Sequence, residues 1–300
     1  MHTGEIIDRR ESLKRVAGLG AVFSAALATA AIQPGQPDAA FLADIGVCTN
    51  LSNHTLLRSS GYAFVEESVT GFLIPQQPEE QFREKLELLK ASSLPVPVCR
   101  IFLPGSLRVV GPAVDQDALI AYTETAFRRA NEAGVRTIVF GSGGSRRIPD
   151  GFDPDKAREQ LIGYLRQSTP LASKHGVTLA LEHLNRGETN MINRLSQAAD
   201  IVQAVDHPNL KMLVDIYHLL RENEAPEEIV KVGRYVHHCH IADPEKRLAP
   251  TTMKTDFRPY FSALKKVNYR GRLSIEAGWG DLATELPLAM QILRQQIAEA

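Results

Sequence analysis

Along most of the chain, short apolar runs rich in β-branched residues alternate with longer stretches whose apolar positions recur at helical spacing. The apolar runs predict strands at residues 43–48, 62–65, 98–102, 137–140, 178–182, 212–215, 236–241 and 273–276. Between them, residues 81–91, 117–133, 155–175 and 196–205 read as amphipathic helices. Runs that are apolar throughout fit strands covered on both faces, as in a parallel sheet. Eight strand–helix units in about 260 residues predict an α/β fold, a single (β/α)8 barrel rather than an open sheet. Glycines at Gly134, Gly176 and Gly271 stand between a helix and the next strand, where a left-handed helix cap belongs. No GxGxxG or P-loop follows the first strand, which argues against a nucleotide-binding fold.

Composition narrows the picture. With 44% hydrophobic residues the chain can bury one large core. Its 34 basic and 35 acidic residues leave a net charge of −1, so no global field favours nucleic acid or an acidic membrane as partner. The cysteines, Cys48, Cys99 and Cys239, are too scattered for a disulfide framework or a zinc site and read as half-buried strand residues.

The first residues read differently. Arg9-Arg10 and Lys14 precede an uncharged run over 16–31, shorter than the roughly 20 residues a membrane-spanning helix needs. The run ends in Ala28-Thr29-Ala30, small residues of the kind a signal peptidase accepts. Residues 1–31 thus resemble a twin-arginine signal peptide, 32–40 a Pro/Gly linker, and 41–300 form the expected barrel. The implied destination is the periplasm or the medium, without stable membrane insertion after processing; a homo-oligomer is left open.

The chemistry is concentrated at strand ends. The strand at 178–182 ends in Glu182, the next in Asp215, the next reaches His240, and the last ends in Glu276. In a barrel the C-terminal strand ends share one face, where active sites are built. A lone acid there is often a helix cap or an ion-pair partner, whereas four potential ligands on successive strands predict a metal centre. Three carboxylates and one imidazole suit a hard divalent ion, Mn²⁺ first, with Mg²⁺ or Co²⁺ acceptable. Such an ion can chelate a carbonyl and its neighbouring hydroxyl and acidify the C–H between them. Alternation places His238 on the inner side with His240 and His237 on the other. His218, just beyond Asp215, would reach a bound substrate.

These motifs bear a family resemblance. Leu181-Glu182-His183-Leu184-Asn185-Arg186-Gly187-Glu188 resembles the fifth-strand signature of the xylose-isomerase-like barrels, particularly ketose 3-epimerases and hydroxypyruvate isomerases. Val214-Asp215-Ile216-Tyr217-His218, His238-Cys239-His240 and Ser274-Ile275-Glu276 resemble the next three signatures, in order. The resemblance implies that Glu182 and Glu276 are both metal ligands and proton-transfer groups, and that Asp215 and His240 complete the site. It implies substrate contacts for Glu188, His218 and an arginine after the metal histidine, Arg247, with Lys246 as competitor. The reaction implied is proton transfer next to a carbonyl through a cis-enediolate, giving isomerisation or epimerisation of a carbohydrate substrate.

The front half is less typical. Either Glu66 or Glu67 can line the mouth or cap the following segment. The loop 141–149 has glycines that permit close approach to a ligand and arginines that can meet a polar one, or is simply solvated. Trp279 can stack on a sugar or pack beneath a loop. An apurinic-site endonuclease is disfavoured, because the early strands end without histidine and the balanced charge suits DNA poorly. A lyase sharing the enediolate step and a non-catalytic sugar- or metal-binding protein remain as alternatives.

Overall fold

A computed structural model describes residues 41–300 except Ala43, so the expected signal peptide and linker lie outside the described residues. The strands are β1 (Ile45–Cys48), β2 (Phe64–Ser68), β3 (Val98–Arg100), β4 (Thr137–Phe140), β5 (Thr178–Glu182), β6 (Leu210–Asp215), β7 (Val236–Ile241) and β8 (Arg272–Ile275). Each pairs in parallel with its neighbours, and β8 pairs with β1, closing the barrel. The helices are α1 (His54–Ser59), α2 (Glu79–Ala91), α3 (Gln116–Glu132), α4 (Gly143–Arg146), α5 (Pro154–Lys174), α6 (Leu195–Val205), α7 (Ile216–Arg221), α8 (Glu227–Val232), α9 (Arg258–Lys266) and α10 (Leu282–Glu299). No helix among the described residues is long and apolar enough to cross a membrane.

Alternation along the strands sorts side chains into two cores. Phe64, Val98, Val139, Ala180 and Leu213 point inward and plug the lower barrel. Gly46 faces them because a Cβ there would collide with the Phe64 ring. Outward-facing Val47, Ile138, Phe140, Leu181, Val214 and Ile275 pack beneath the helices, joined by residues such as Phe127 and Tyr164. Each fully buried side chain of this kind contributes about 1.5–3 kcal/mol. Helix starts are fixed chemically: Asp115, Asp153 and Asp281 accept from backbone N–H groups of the first turns of α3, α5 and α10.

Four expectations need correction. The second strand runs to Ser68 rather than Val65, which puts Glu66 inside the barrel and Glu67 outside it. The cysteines are fully rather than half buried, and free. Gly134 and Gly176 take the left-handed caps, but Gly271 does not: Asn268 holds the left-handed position after α9. Gly271 instead lets the backbone pass close to the His237 carbonyl and the Tyr269 ring. Finally, the register between β6 and β7 shifts so that Met212 faces Val236 and Leu213 faces His238. This bulge breaks alternation at His237, which reaches Thr137 Oγ1 at 3.0 Å while His238 also points inward.

Candidate metal centre and active site at the mouth of the barrel

Four successive strands deliver Glu182, Asp215, His240 and Glu276 to one point, each offering a ligand atom within 4.8 Å of the others. Glu182 and Asp215 complete β5 and β6, His240 lies one residue before the end of β7, and Glu276 follows β8 directly. His240 Nδ1 lies 3.0 Å from Glu276 Oε2 and 3.8 Å from Glu182 Oε1. Asp215 Oδ1 caps α7 by accepting from Tyr217 N–H at 2.8 Å, which leaves Oδ2 facing the cluster. Glu182 Oε1 and Asp215 Oδ2 are buried without a hydrogen-bond partner. Buried acceptors are rarely left so. A hard cation is what this donor set would satisfy, so the residues fit a divalent ion.

The electrostatics follow from crowding. Burial, then the neighbouring Glu276, pushes the Glu182 carboxyl well above the usual range. Burial raises Asp215 to about 6, against the pull of Arg247 and His240. Burial would raise Glu276 too, but His240, Arg247 and Arg100 hold it far below the ordinary carboxylate value. Like charges this close cannot all ionise without a counter-charge.

The three expected substrate-contacting residues stand around the cluster. His218 is fully buried, and its Nδ1 accepts from the Asn185 backbone N–H at 3.2 Å. The neutral ring therefore carries its proton on Nε2, which lies 3.4 Å from Asp215 Oδ2, 3.9 Å from Glu182 Oε1 and 4.0 Å from Glu188 Oε2. Burial, then His183, holds the ring well below the usual histidine value. Arg247, not Lys246, turns inward. Its guanidinium meets Glu276 Oε2 at 2.8 Å and Glu188 Oε1 at 2.9 Å and lies over the Tyr217 ring, while Lys246 is exposed. Both residues have left-handed backbone, and it is this reversal that aims Arg247 at the site.

The front half supplies what sequence reasoning missed or left open. Arg100, at the end of β3, places NH1 3.4 Å from Glu276 Oε1. The strand-end position alone would have flagged it. Glu66 is fully buried and accepts from His238 Nε2 and His240 Nε2, each at 2.8 Å, and from Ser274 Oγ at 2.6 Å. Glu67 instead accepts from the backbone N–H of Leu51 and Ser68. In the loop after β4, Gly141 lies against Glu182, where a Cβ would collide with Oε2. Arg146 of that loop is wholly buried rather than solvated, its guanidinium without a hydrogen bond and lowered by burial to about 10. Arg147 donates to the Glu188 carbonyl.

Arg100, Glu182, Glu188, Arg247 and Glu276 line a cavity of about 410 Å³, walled by Ile101, Leu103 and Pro104 on one side and the Gly141–Gly144 backbone on another. Trp279 is not among its walls and packs against the hydrophobic core.

Residues 55–296 match the xylose isomerase-like TIM barrel as a family. The chain belongs to that family. The chain is similar to an L-ribulose 3-epimerase of Methylomonas sp. (strain DH-1), with 27% identity over 121 residues, 40% of this chain and 42% of the relative. A 3-dehydro-D-guloside 4-epimerase of Escherichia coli (strain K12) is 30% identical over 134 residues, 43% of this chain and 51% of the relative. The chain spans about half or less of the length of these curated relatives. Among solved xylose isomerase-like barrels, the apo 3-keto-D-glucoside 4-epimerase from E. coli superposes with TM-score 0.71 at 22% identity, covering 84% of this chain and 99% of that one. A D-psicose 3-epimerase with D-tagatose from Clostridium cellulolyticum H10 gives 0.73 at 19%, covering 85% and 99%. At these identities the structural likeness is one of fold.

Proposed function

We propose that this chain is a divalent-metal-dependent sugar epimerase or isomerase that moves a proton next to a carbonyl through a cis-enediolate, on a non-phosphorylated sugar, keto-sugar or inosose. The observation that carries the proposal is the convergence of Glu182, Asp215, His240 and Glu276, with two buried oxygens that accept no hydrogen bond among the described residues. A divalent ion held by these four, Mn²⁺ first and Mg²⁺ or Co²⁺ next, would supply Lewis-acid polarisation of a carbonyl and its neighbouring hydroxyl.

The rest falls to the chain's own groups. Glu182 and Glu276 come from different strands, so one can take a proton from carbon while the other returns one from the opposite face. That sequence inverts a centre, whereas return to the neighbouring carbon by the same carboxylate exchanges aldose and ketose. Arg247 and the Nε2–H of His218 are donors suited to an oxygen that gains charge. Glu188, held by Arg247 and by Asn185 Nδ2 at 3.0 Å, is suited to accept from a substrate hydroxyl. Among the described residues, the cations lining the cavity, Arg100 and Arg247, each already face carboxylates, which supports a neutral rather than phosphorylated substrate. The relatedness to a 3-dehydro-D-guloside 4-epimerase favours a second reading, a lyase that begins with the same step and then expels the glycosidic leaving group. The N-terminal residues support action in the periplasm or outside the cell.

The test is solvent-deuterium exchange by the Mn²⁺-loaded protein against ketoses, inososes and 3-keto-glycosides. Deuterium should enter at carbon next to the carbonyl, and Glu182→Gln and Glu276→Gln should each lower the rate about 10²–10⁴-fold. Release of the leaving group with the label would select the lyase. Tight metal binding without exchange on any substrate would overturn the enzymatic reading in favour of a binding protein.

A further inference from the structure

Beneath the four ligands lies a second layer that the proposed reaction does not use. Glu66 is completely buried, forms no ion pair with a lysine or arginine among the described residues, and spends both oxygens on three donors: His240 Nε2 on Oε1, His238 Nε2 and Ser274 Oγ on Oε2. The two imidazoles stand edge to face, 5.0 Å apart. His240 is thus addressed from both ends. Its Nε2 meets Glu66 at 2.8 Å, while its Nδ1 lies 3.0 Å from Glu276 Oε2, a carboxylate that a bound ion would draw to itself.

We propose that Glu66 is the positioning residue of this metal centre: it fixes His240 in the tautomer with the proton on Nε2, so that the Nδ1 lone pair is free for the ion, and it confines the barrel to a single metal position. The proposal rests on the assignment of Glu182, Asp215, His240 and Glu276 as ligands. A neutral imidazole carries one N–H; with Glu276 engaged by an ion, Glu66, which only accepts, is the carboxylate left to hold that proton on Nε2. A buried negative charge behind the ring also strengthens the ring as a donor. Cys48, Glu66 and His240 by themselves have ligand atoms as close as those of the mouth cluster. They are not a second metal site, because the Glu66 oxygens are already taken by hydrogen bonds.

Glu66→Gln makes the idea testable because the amide keeps the size but cannot accept from both rings. One of its two facing atoms is an NH₂, so one imidazole must offer a lone pair at Nε2 and carry its proton on Nδ1. In the fraction where that ring is His240, the proton faces the metal position. The full chain, stripped of metal, is titrated with Mn²⁺ by calorimetry, and imidazole ¹⁵N shifts are recorded with Mg²⁺. Wild type should bind one ion, with a pyrrole-like His240 Nε2. Glu66→Gln should weaken Mn²⁺ binding about 10–100-fold with an altered His240 ¹⁵N pattern, while the metal-free melting curve stays cooperative. Should the Gln variant not fold, Glu66→Asp carries the test, with a loss of at least about threefold expected from the longer hydrogen bonds. A Kd within twofold of wild type in the folded variant, or two ions per wild-type chain, would overturn the role of Glu66. A wild-type chain that binds no Mn²⁺, Mg²⁺ or Co²⁺ would instead overturn the ligand assignment itself.

Discussion

Of the strands that close the barrel, β5 to β8 bring Glu182, Asp215, His240 and Glu276 to the mouth, whereas β1 to β4 bring Cys48, Glu66, Arg100 and the glycines that follow Phe140. The first set gathers three carboxylates around one imidazole. The second set exposes no carboxylate to the cavity, since Glu66 lies beneath it with both oxygens held by His238, His240 and Ser274. It offers a guanidinium, an apolar wall at Ile101 and Leu103, and a stretch of bare backbone. The contrast separates two tasks that a single pocket must perform. One half concentrates charge that only a cation can settle. The other sets how much room that charge has and which way it points.

The sharpest way to break this division is to compare neighbours on the back-half loop. Arg247→Ala should lower exchange activity about 10²–10³-fold, as expected for a donor to a developing oxyanion, whereas Lys246→Ala should stay within about twofold, as expected of an exposed side chain outside the site. Equal losses in steady-state assays would mean that the loop acts as a whole and not through one guanidinium. A front-half test comes next. Gly141→Ala should push Glu182 aside and cost about 10²-fold in kcat while circular dichroism stays native. A variant with full activity would show that the bare backbone merely fills space.

The smallest effect concerns stability. Burial raises the Asp215 carboxyl from 3.8 to about 6, so its ionised form burdens the metal-free fold. The burden is absent below its ordinary value, grows as pH rises between the two values, and is complete above the raised one. Asp215→Asn, which keeps an oxygen for the Tyr217 cap, should stabilise the metal-free protein by about 1–3 kcal/mol at pH 7, with no gain near pH 4. Mn²⁺ should raise the Tm of wild type and leave that of the variant unchanged. A metal-free variant no more stable than wild type at pH 7 would mean that Arg247 and His240 already neutralise the cluster.

The same asymmetry governs what the sequence alone discloses. Glu182, Asp215 and Glu276 each close an apolar run, so a change from greasy to charged marks both the strand end and the site. Arg100 obeys that rule as well, but the apolar run resumes at Ile101-Phe102 and hides the end of a three-residue strand. Choosing Glu66 over Glu67 needed the register of β2, and a one-residue error in a strand exchanges inside for outside. Alternation failed at His237 for a related reason, since a bulge is a property of two paired strands and neither carries its mark alone. Arg247 needed a loop conformation, two consecutive left-handed residues, that no spacing rule supplies. Fold class asks only for rhythm, whereas a site asks for orientation.

The pairing of β1 with β8 has one more consequence, for connectivity. Because the ring is closed, the first and last described residues meet: Arg294 donates to the Leu42 carbonyl, and Lys265 both donates to the Ala300 carbonyl and lies over the Phe41 ring. A short linker could join Ala300 to Phe41, and the chain could be reopened at the exposed turn around Gly176, just before β5. Such a permuted chain would run through the strands that deliver Glu182, Asp215, His240 and Glu276 before meeting Glu66. Translation order and spatial order would then be uncoupled, and the ring would be asked to assemble its charged arc before the arc that shapes it.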